Sequence, residues 1–578
     1  MRVAVVLLLP LLARTAMAQD DLIAGARWTY SRALETIAAE GSPGGFSTAL
    51  RASTATATPA TPWSSQLSLT VPAAIANGRF LRFRLWARSS TGSRIELVHE
   101  LNRDPFSKSC SYLYRLKPEW TELALPYPSG AYAAADSALR IRTGYDAGVV
   151  ELAGIRLEDF GSGSAAPPAI NFDAFGGQAH DDGWRQAAQE RICRLRMGPL
   201  VVRVEDAEGN PVSGAQVKIE QRSADFRFGT AVASTPLFAN SKDGEEYRAQ
   251  VQKLFNYAVL ENQLKWDWGN GNDFATADRM LRWFAERGIP VRGHNLLWPS
   301  YKYLPAPVRA LRGDALRGAI ESHVRDYVTR TRGRVPVWDV VNEAFTNTEV
   351  FRDNGRDLLW RSFQWAREID PDVQLAYNDY NISNNRAGAN DAHKAGAMGV
   401  VRELMNNGAP VTVLGDQGHM SSPLTPIPRV LEIWDEWGQF GLPIEITEFD
   451  IVFGGPRDEA QQAGYLADFL TAAFSHASVK SFLLWGFWDG AHWLGEQGAG
   501  LFRRDWSRRP QAETWERLVL KEWRTNLEAE TGADGTYSTR AFLGGFVITA
   551  AAGERTAQVE FSVTRNPDEA NEVTVRLP

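Results

Sequence analysis

Two glutamates follow short apolar runs that have the composition of buried strands. Glu343 comes directly after residues 337–342, and Glu448 comes directly after residues 444–447. A carboxylate next to such a run is costly to bury unless it is paired or used. Two carboxyl groups that face each other across a cleft can perform the acid, base and nucleophile steps of glycoside hydrolysis. Glu343 is preceded by Asn342, but an Asn-Glu pair alone does not indicate a catalytic site. A second pair, Asn571-Glu572, lies in the C-terminal tail, outside the repeated strand-and-helix pattern.

Repeated strand-then-helix patterns between residues 229 and 527 could bring these two glutamates together. Amphipathic stretches such as residues 276–287 and 315–331 alternate with short apolar runs. Divided by eight, this segment gives about 37 residues per unit, and the apolar runs fall close to that spacing. Eight such repeats predict a (β/α)₈ TIM barrel, in which functional groups lie where the carboxyl ends of the strands converge.

The strand-end rule selects a set of candidate site residues. Read from the third strand to the eighth, they are His294, Trp298, Asn342, Glu343, Gln417, His419, Glu448 and Trp485. Glu343 on the fourth strand and Glu448 on the seventh would lie across the mouth of the barrel from each other. For His294 taken alone, a core histidine with satisfied hydrogen bonds is an equally good interpretation.

The remaining segments predict a multidomain chain around this barrel. Residues 1–18 have the layout of a secretory signal peptide, which predicts a secreted protein, extracellular or periplasmic. Period-two alternation over residues 19–160 predicts an antiparallel β-sandwich, and residues 161–198 are predicted to be a linker. The β segments 199–228 and 533–578 flank the barrel at 229–527, and we expect them to pair into one small β domain.

Composition excludes several classes of protein. With 578 residues, 44% apolar, 23% charged and a net charge of −7, the chain has the composition of a soluble globular protein. Its largest basic cluster, residues 503–509, is short and contains an aspartate, a tryptophan and a serine among its arginines, so no nucleic-acid partner is expected. No segment is predicted to span a membrane. Two cysteines, Cys110 and Cys193, exclude a disulfide scaffold, although a bridge between them stays open. No metal and no cofactor is expected, since His99-Glu100 lacks the second histidine of a zinc helix and no phosphate loop occurs.

Seven motifs, in order across the barrel, resemble glycoside hydrolase family 10, the endo-β-1,4-xylanase family. They are residues 261–266 (ENQLKW), 293–298 (GHNLLW), 338–344 (WDVVNEA), 378–381 (NDYN), 417–419 (QGH), 446–450 (ITEFD) and 485–489 (WGFWD). The flanking β segments resemble those of a plant-like subgroup of this family. Residues 20–160 resemble jelly-roll carbohydrate-binding modules through weaker motifs, and 20 tryptophans suit the apolar faces of sugars.

The resemblance implies a retaining double-displacement mechanism on xylan. Glu448 would be the nucleophile, and Glu343 the general acid and then the general base, with carboxyl groups about 5–5.5 Å apart. His419 would hydrogen-bond to Glu448, and Asp450 behind it would set the tautomer of the ring. The residues that the resemblance places on the substrate are Glu261, Asn262, Lys265, His294, Trp298, Asn342, Gln417, His419, Trp485 and Trp493.

One departure and several alternatives accompany this interpretation. After Trp298 the commoner family pattern has a His and then a Gln, whereas this chain has Pro299-Ser300-Tyr301, which bears on distal sugar contacts and product length. The alternative functions of the barrel are a β-1,4-glucanase and a catalytically silent polysaccharide-binding protein.

The N-terminal sandwich could bind sugar or act as a spacer. We expect a monomer whose partner is the polysaccharide.

Overall fold

The computed structural model describes residues 20–32, 34–39, 41, 44–162, 167–171, 173–267, 272–452, 458–565 and 571–578. The predicted signal peptide, residues 1–18, lies outside these residues. The chain divides into two compact units, one built on the chain up to Ala179 together with Ser421–Leu424, the other starting at His180. Among the described residues, no helix combines the length and the apolar character needed to cross a bilayer.

The N-terminal unit is the predicted antiparallel β-sandwich. Its described strands are β1 (Asp20–Asp21), β2 (Thr29–Tyr30), β3 (Leu34–Ala38), β4 (Thr48–Thr54), β5 (Gln66–Val71), β6 (Phe80–Arg88), β7 (Arg94–Leu101), β8 (Lys108–Arg115), β9 (Thr121–Pro128), β10 (Ser137–Arg142) and β11 (Gly148–Asp159). One sheet has the order β3-β4-β11-β6-β9, with β1 paired to β11, and the other has the order β2-β5-β10-β7-β8.

Period-two alternation builds the core of this sandwich. In β6, Leu81, Phe83 and Leu85 are fully buried while the residues between them are half-buried. Successive side chains of a strand point to opposite faces, so these three enter the core between the sheets. They join Leu67 and Leu139 of the opposite sheet in one apolar cluster. Cys110 is buried in the same cluster, and both Cys110 and Cys193 are free thiols.

The linker prediction for residues 161–198 is wrong for its second half. Helix α1 (Trp184–Arg196) lies there, and Trp184, Ala188, Ile192 and Leu195 form a buried stripe at helical spacing. The Arg196 guanidinium donates to the backbone oxygens of residues 474, 476 and 479. These contacts make α1 part of the second unit rather than a flexible connection.

The barrel of the second unit forms as predicted. Its strands are β14 (Arg227–Val232), β15 (Tyr257–Leu260), β16 (Val291–Leu297), β17 (Val337–Asn342), β18 (Gln374–Asp379), β19 (Val413–Asp416), β21 (Ile444–Val452) and β22 (Val479–Leu484), with the short β20 (His419–Ser421) beside β21. Its helices are α2 (Ser234–Phe238), α3 (Lys242–Leu254), α4 (Phe274–Ala285), α5 (Ala306–Arg309), α6 (Gly313–Thr331), α7 (Glu349–Asn354), α8 (Leu358–Ile369), α9 (Asp391–Asn406), α10 (Ile427–Gly438), α11 (Glu459–Ser475) and α12 (Pro510–Arg517). The eight strands are parallel and close where β19 pairs with β21 and β22 pairs with β14.

Segments on both sides of the barrel pair into a small β domain. On the N-terminal side they are β12 (Met197–Glu205) and β13 (Gln216–Ala224), and on the C-terminal side β23 (Asn526–Glu530), β24 (Thr536–Phe542), β25 (Gly544–Ala552), β26 (Arg555–Val563) and β27 (Asn571–Arg576). They form the sheets β24-β12-β27 and β23-β13-β25-β26. Leu200, Ile219 and Ile548 are fully buried in their shared core, as the expected pairing of these segments requires.

The predicted end of the barrel at residue 527 is too late. β23 already begins at Asn526, and Leu527 pairs with Ile219 of β13. The alternation of half-buried Leu527 and Ala529 with exposed neighbours is that of a surface strand in the small β domain.

Candidate active site

The two glutamates of the sequence analysis lie at the rim where the parallel barrel strands end. Glu343 follows the last residue of β17, and Glu448 lies in β21, which continues beyond it to Val452. Both side chains are largely shielded from solvent. The strand-end rule therefore located both residues, although β21 does not end where the apolar pattern stops.

Three side chains donate hydrogen bonds to the Glu343 carboxyl group. They are Trp298 Nε1 at 3.0 Å, Gln417 Nε2 at 3.0 Å and Asn347 Nδ2 at 3.2 Å. Burial raises the pKa of Glu343, and the negative charges of Glu448 and Asp379 raise it further, against the opposing effect of the Gln417 hydrogen bond. Glu343 is therefore suited to hold a proton under conditions in which an exposed glutamate has lost it.

The Glu343 backbone has a φ of 56°, in the left-handed region that non-glycine residues rarely occupy. Its N–H donates to the Asn378 oxygen at 2.8 Å, and its own oxygen accepts from the Asn347 N–H at 3.1 Å. Such a conformation persists when surrounding contacts fix it, and it is found mainly at functional sites. At Glu343, this backbone conformation sets the direction in which the side chain points from the end of β17.

Glu448 has the opposite electrostatic environment. Its Oε1 accepts a hydrogen bond from Asn378 Nδ2 at 2.8 Å, and His419 Nε2 lies 3.3 Å from its Oε2. Burial alone would raise the pKa of Glu448, but the charge of His294, whose Nδ1 lies 3.9 Å away, and the hydrogen bond and charge of His419 outweigh it. The net effect lowers the pKa, so Glu448 is an ionised carboxylate at neutral pH.

His419 lies between two carboxylates. Its Nε2 faces Glu448, and its Nδ1 lies 3.0 Å from Asp450 Oδ1. Burial lowers the pKa of this ring, but the charges and hydrogen bonds of Asp450 and Glu448 raise it to about 10. The raised pKa favours the charged, doubly protonated ring at neutral pH. Trp493, which is 59% exposed, donates from Nε1 to Asp450 Oδ2 at 2.8 Å.

Amide side chains connect the two glutamates. Asn342 Oδ1 accepts from Asn378 Nδ2 at 3.0 Å and from Gln417 Nε2 at 3.4 Å. The same two amides donate to Glu448 and to Glu343 respectively. Four hydrogen bonds in succession therefore join one carboxyl group to the other, so both belong to one site.

The residues predicted to bind sugar lie around these carboxyl groups. Lys265 Nζ donates to Asn262 Oδ1 at 3.1 Å and lies 5.7 Å and 5.6 Å from the ring centres of Trp298 and Trp485. Burial lowers the pKa of Lys265, against the opposing charges of Glu448, Glu261 and Glu343. The Trp485 ring also makes edge contacts with His294 at 5.1 Å and with His419 at 6.4 Å.

Trp298 is stacked on Tyr303, with ring centres 3.6 Å apart and an interplanar angle of 17°. Tyr303 lies two residues after Pro299-Ser300-Tyr301, where this chain departs from the commoner family pattern. An aromatic ring thus covers one face of Trp298 and leaves its Nε1 directed at Glu343.

Comparison with known proteins identifies the family of this chain. Residues 219–516, just over half of the chain, match the family described as glycosyl hydrolase family 10. The chain belongs to glycosyl hydrolase family 10. Among the described residues of this family 10 chain, no group of three or more His, Cys, Asp or Glu side chains is placed to hold a metal ion.

Curated relatives include the anti-sigma-I factor RsgI6 of Acetivibrio thermocellus, 30% identical over 372 residues, covering 63% of this chain and 46% of that protein. Endo-1,4-beta-xylanase 1 of Arabidopsis thaliana is 27% identical over 372 residues, covering 62% of this chain and 37% of that protein. The chain therefore spans less than half the length of both relatives. Among solved structures, xylanase 10B from Thermotoga petrophila in complex with xylobiose is 27% identical, covers 52% of this chain and 95% of that chain, and has a TM-score of 0.46.

Sequence reasoning missed several residues of this family 10 site. Asn378 joins Asn342 to Glu448. It could have been found because it is the second-last residue of the fifth barrel strand and lies inside a motif that was recognised. Asn347 donates to Glu343 from a loop, where neither spacing nor pattern marks it. Asp339 accepts from His294 Nδ1 at 2.9 Å inside the barrel, and the same nitrogen lies 3.9 Å from Glu448 Oε1.

Proposed function

We propose that this protein is a retaining endo-1,4-β-xylanase that cleaves internal β-1,4-xylosidic bonds of xylan. The observation that carries the proposal is the group of hydrogen bonds that joins the two carboxyl groups at the rim of the barrel. Within it, the pKa of Glu343 is raised and the pKa of Glu448 is lowered. Two carboxyl groups whose pKa values are driven apart by their surroundings have the properties of an acid and a nucleophile. Membership of family 10 and relatives that are named xylanases support the choice of xylan.

In the first step the ionised Glu448 attacks the anomeric carbon of the sugar. Glu343 delivers its proton to the glycosidic oxygen as the bond from that oxygen to the anomeric carbon breaks. The departing sugar leaves as an alcohol, and an ester between Glu448 and the sugar remains. Trp298 and Gln417 hold the Glu343 carboxyl group in place for this transfer.

In the second step the same two residues exchange charge states. Esterification removes the negative charge of Glu448, which is one of the charges that raise the pKa of Glu343. Glu343 is already ionised, because it gave its proton to the departing sugar, and its lowered pKa keeps it so. It now accepts a proton from a water molecule, which attacks the anomeric carbon and breaks the ester. Two inversions at that carbon retain its configuration.

The charged His419 serves Glu448 in both steps. Its cation stabilises the free carboxylate before the attack and again when the carboxylate leaves the ester. Asn378 donates to the same carboxylate. In our proposal Asn342, which lies beside both amides, contacts the 2-hydroxyl of the sugar, an interaction that strengthens in the transition state.

Two glutamate variants test the proposed function. Glu448→Ala should abolish the release of reducing sugar from xylan, whereas Glu572→Ala, which changes an exposed glutamate in the other Asn-Glu pair, should leave it unchanged. The protein without substitutions, called the parent below, should act on xylan in preference to cellulose and mixed-linkage glucan. Unchanged activity of Glu448→Ala would contradict the assignment of the nucleophile, and preference for either glucan would contradict the substrate.

For the rest of the chain we propose export directed by residues 1–18, action as a monomer, and a sugar-binding role for the sandwich. Trp63 of the sandwich is 52% exposed, and the Arg142 guanidinium lies 5.9 Å from its ring centre. An exposed indole ring can stack on the apolar face of a sugar. Trp63→Ala in a Glu448→Ala background should weaken retention on insoluble xylan, and unaltered retention would favour a spacer.

A further inference from the structure

A surface pocket of about 420 Å³ lies on the outside of the barrel, between α4 and the segment that follows the first barrel strand. Its lining includes three arginines, two aromatic residues and one glutamate, namely Arg248, Arg279, Arg282, Trp283, Phe238 and Glu286. None of these side chains takes part in the proposed chemistry. The pocket therefore needs an explanation of its own.

The positive charges of this pocket are only partly balanced. Arg282 is paired with Asp278, and the Glu286 carboxylate of the lining is paired with Arg287 at 3.3 Å, outside the pocket lining. Arg248 donates to the backbone oxygens of Leu237 and Ala239 at 2.9 Å and 3.1 Å, and the exposed Arg279 lies over the Phe238 ring, 3.7 Å from its centre. No carboxylate of a described residue forms an ion pair with either of these two arginines. The positive charges of Arg248 and Arg279 in this pocket are thus not neutralised by an ion pair, although the net charge of the chain is −7.

The chemistry of the lining restricts the kind of ligand. Guanidinium groups recognise carboxylates through paired, charge-assisted hydrogen bonds. The half-buried Trp283 supplies a flat ring of the kind that packs against the apolar face of a sugar. A sugar that carries a carboxylate satisfies both features, whereas a neutral sugar leaves the arginines unused.

We propose that this pocket binds the uronic acid side groups of acidic xylan. The inference rests on the proposed function, because xylan substituted with glucuronic acid is the polymer that brings such a carboxylate to a xylanase. The loop with Glu261, Asn262 and Lys265, which is proposed to grip the sugar, leads along the chain into α4, the helix that carries Arg279 and Trp283. The pocket is an additional anchor for a charged chain outside the cleft.

Affinity electrophoresis of the full-length protein tests the proposal, with Glu448→Ala in every sample to prevent hydrolysis. The gels contain soluble glucuronoxylan or neutral arabinoxylan. Arg279→Ala should weaken the apparent affinity for glucuronoxylan about three- to fivefold, the size expected for one exposed ion pair, and leave the affinity for arabinoxylan unchanged. The matched control is Arg402→Ala, which removes another exposed arginine that lies over a phenylalanine ring, 5.7 Å from the centre of Phe440. It should change neither affinity.

Added salt and a second substitution sharpen the test. Raising NaCl from about 0.15 M to about 1 M should reduce the affinity for glucuronoxylan in the parent more than in Arg279→Ala, since salt screens the charge pair. Trp283→Ala should weaken binding to glucuronoxylan as well. Equal affinity of parent and Arg279→Ala for glucuronoxylan, or an equal loss on both polymers, would overturn the proposal.

Hydrolysis by the protein with Glu448 intact separates this inference from the proposed function. Arg279→Ala should cleave short neutral xylo-oligosaccharides as fast as the parent does. If the protein without substitutions releases no sugar from any xylan, the proposed function is wrong. The electrophoresis, which measures binding and not hydrolysis, still shows whether the pocket binds glucuronoxylan.

Discussion

Replacing Asp450 by Asn removes one negative charge beside His419 and keeps the shape of the side chain and an oxygen that can accept from Trp493. The pKa of His419 is raised from 6.5 to about 10 in the intact site, in which Asp450 makes the larger of the two carboxylate contributions. At about 1.36 kcal/mol per pKa unit, this shift amounts to about 5 kcal/mol in favour of the charged ring. Loss of the larger contribution should lower the pKa of His419 by about two units or more.

The sign of the consequence follows from the raised pKa. In the parent, His419 is charged across the neutral range and loses its proton only as the pH rises through about 10. In Asp450→Asn the ring should lose its proton at about pH 8 or below. Above that pH, Glu448 lacks the nearest cation that lowers its pKa and stabilises it as a leaving group.

Two measurements test whether Asp450→Asn lowers the pKa of His419. Titration of the histidine ring signals by NMR should show one histidine with a high pKa in the parent and its loss in Asp450→Asn. The dependence of kcat/KM on pH, measured with a xylo-oligosaccharide that carries a chromogenic leaving group, should gain an ionisation in the neutral range. Asp435→Asn is the matched control, because Asp435 pairs with His476 at 3.1 Å without contact to either glutamate, and it should leave the profile unchanged. A His419 that stays protonated to pH 9 in Asp450→Asn, or a pH profile that superimposes on that of the unsubstituted protein, would show that Asp450 does not control the charge of His419.

Two further predictions concern the general acid and a helix of the barrel. Gln417→Ala removes a hydrogen bond that lowers the pKa of Glu343, so the alkaline limb of the kcat/KM profile should move to higher pH, and a limb that moves down would contradict this. In α9, Gly396→Ala should lower the melting temperature, because the new methyl group would lie within 2 Å of the Phe345 ring. Gly399→Ala meets nothing within 4 Å and should stabilise the protein by about 0.5–1 kcal/mol, as measured by urea denaturation; equal effects of the two would contradict the packing.

The sequence predicted the barrel because its signal is local and repeated. Each strand is a short apolar run and each helix an amphipathic stretch, so the spacing alone indicates eight units, and the strand-end rule places Glu343 and Glu448. The same rule applied to β18 would have pointed to its last two residues, Asn378 and Asp379. Asn378 is the one that links the two carboxyl groups.

Other features could not be predicted because they depend on contacts between distant segments. The Asn347 amide reaches Glu343 from a loop without a pattern. The charge state of His419 depends on two carboxylates at once, so the family motif indicated the neighbours but not the protonation. Helix α1 lies in a stretch that follows a Gly- and Ser-rich segment, and its apolar stripe acquires meaning only through its contacts with the second unit.

The stereochemistry of the first product tests the central claim most directly, namely that Glu448 forms a covalent bond with the sugar and Glu343 serves as acid and then base. Proton NMR during the first minutes of xylan hydrolysis distinguishes the two anomers before they interconvert. With retention, the β-anomer of the new reducing end appears first and the α-anomer only later, by mutarotation. An α-anomer formed first would show a single inversion by water and would contradict the assignment of both residues.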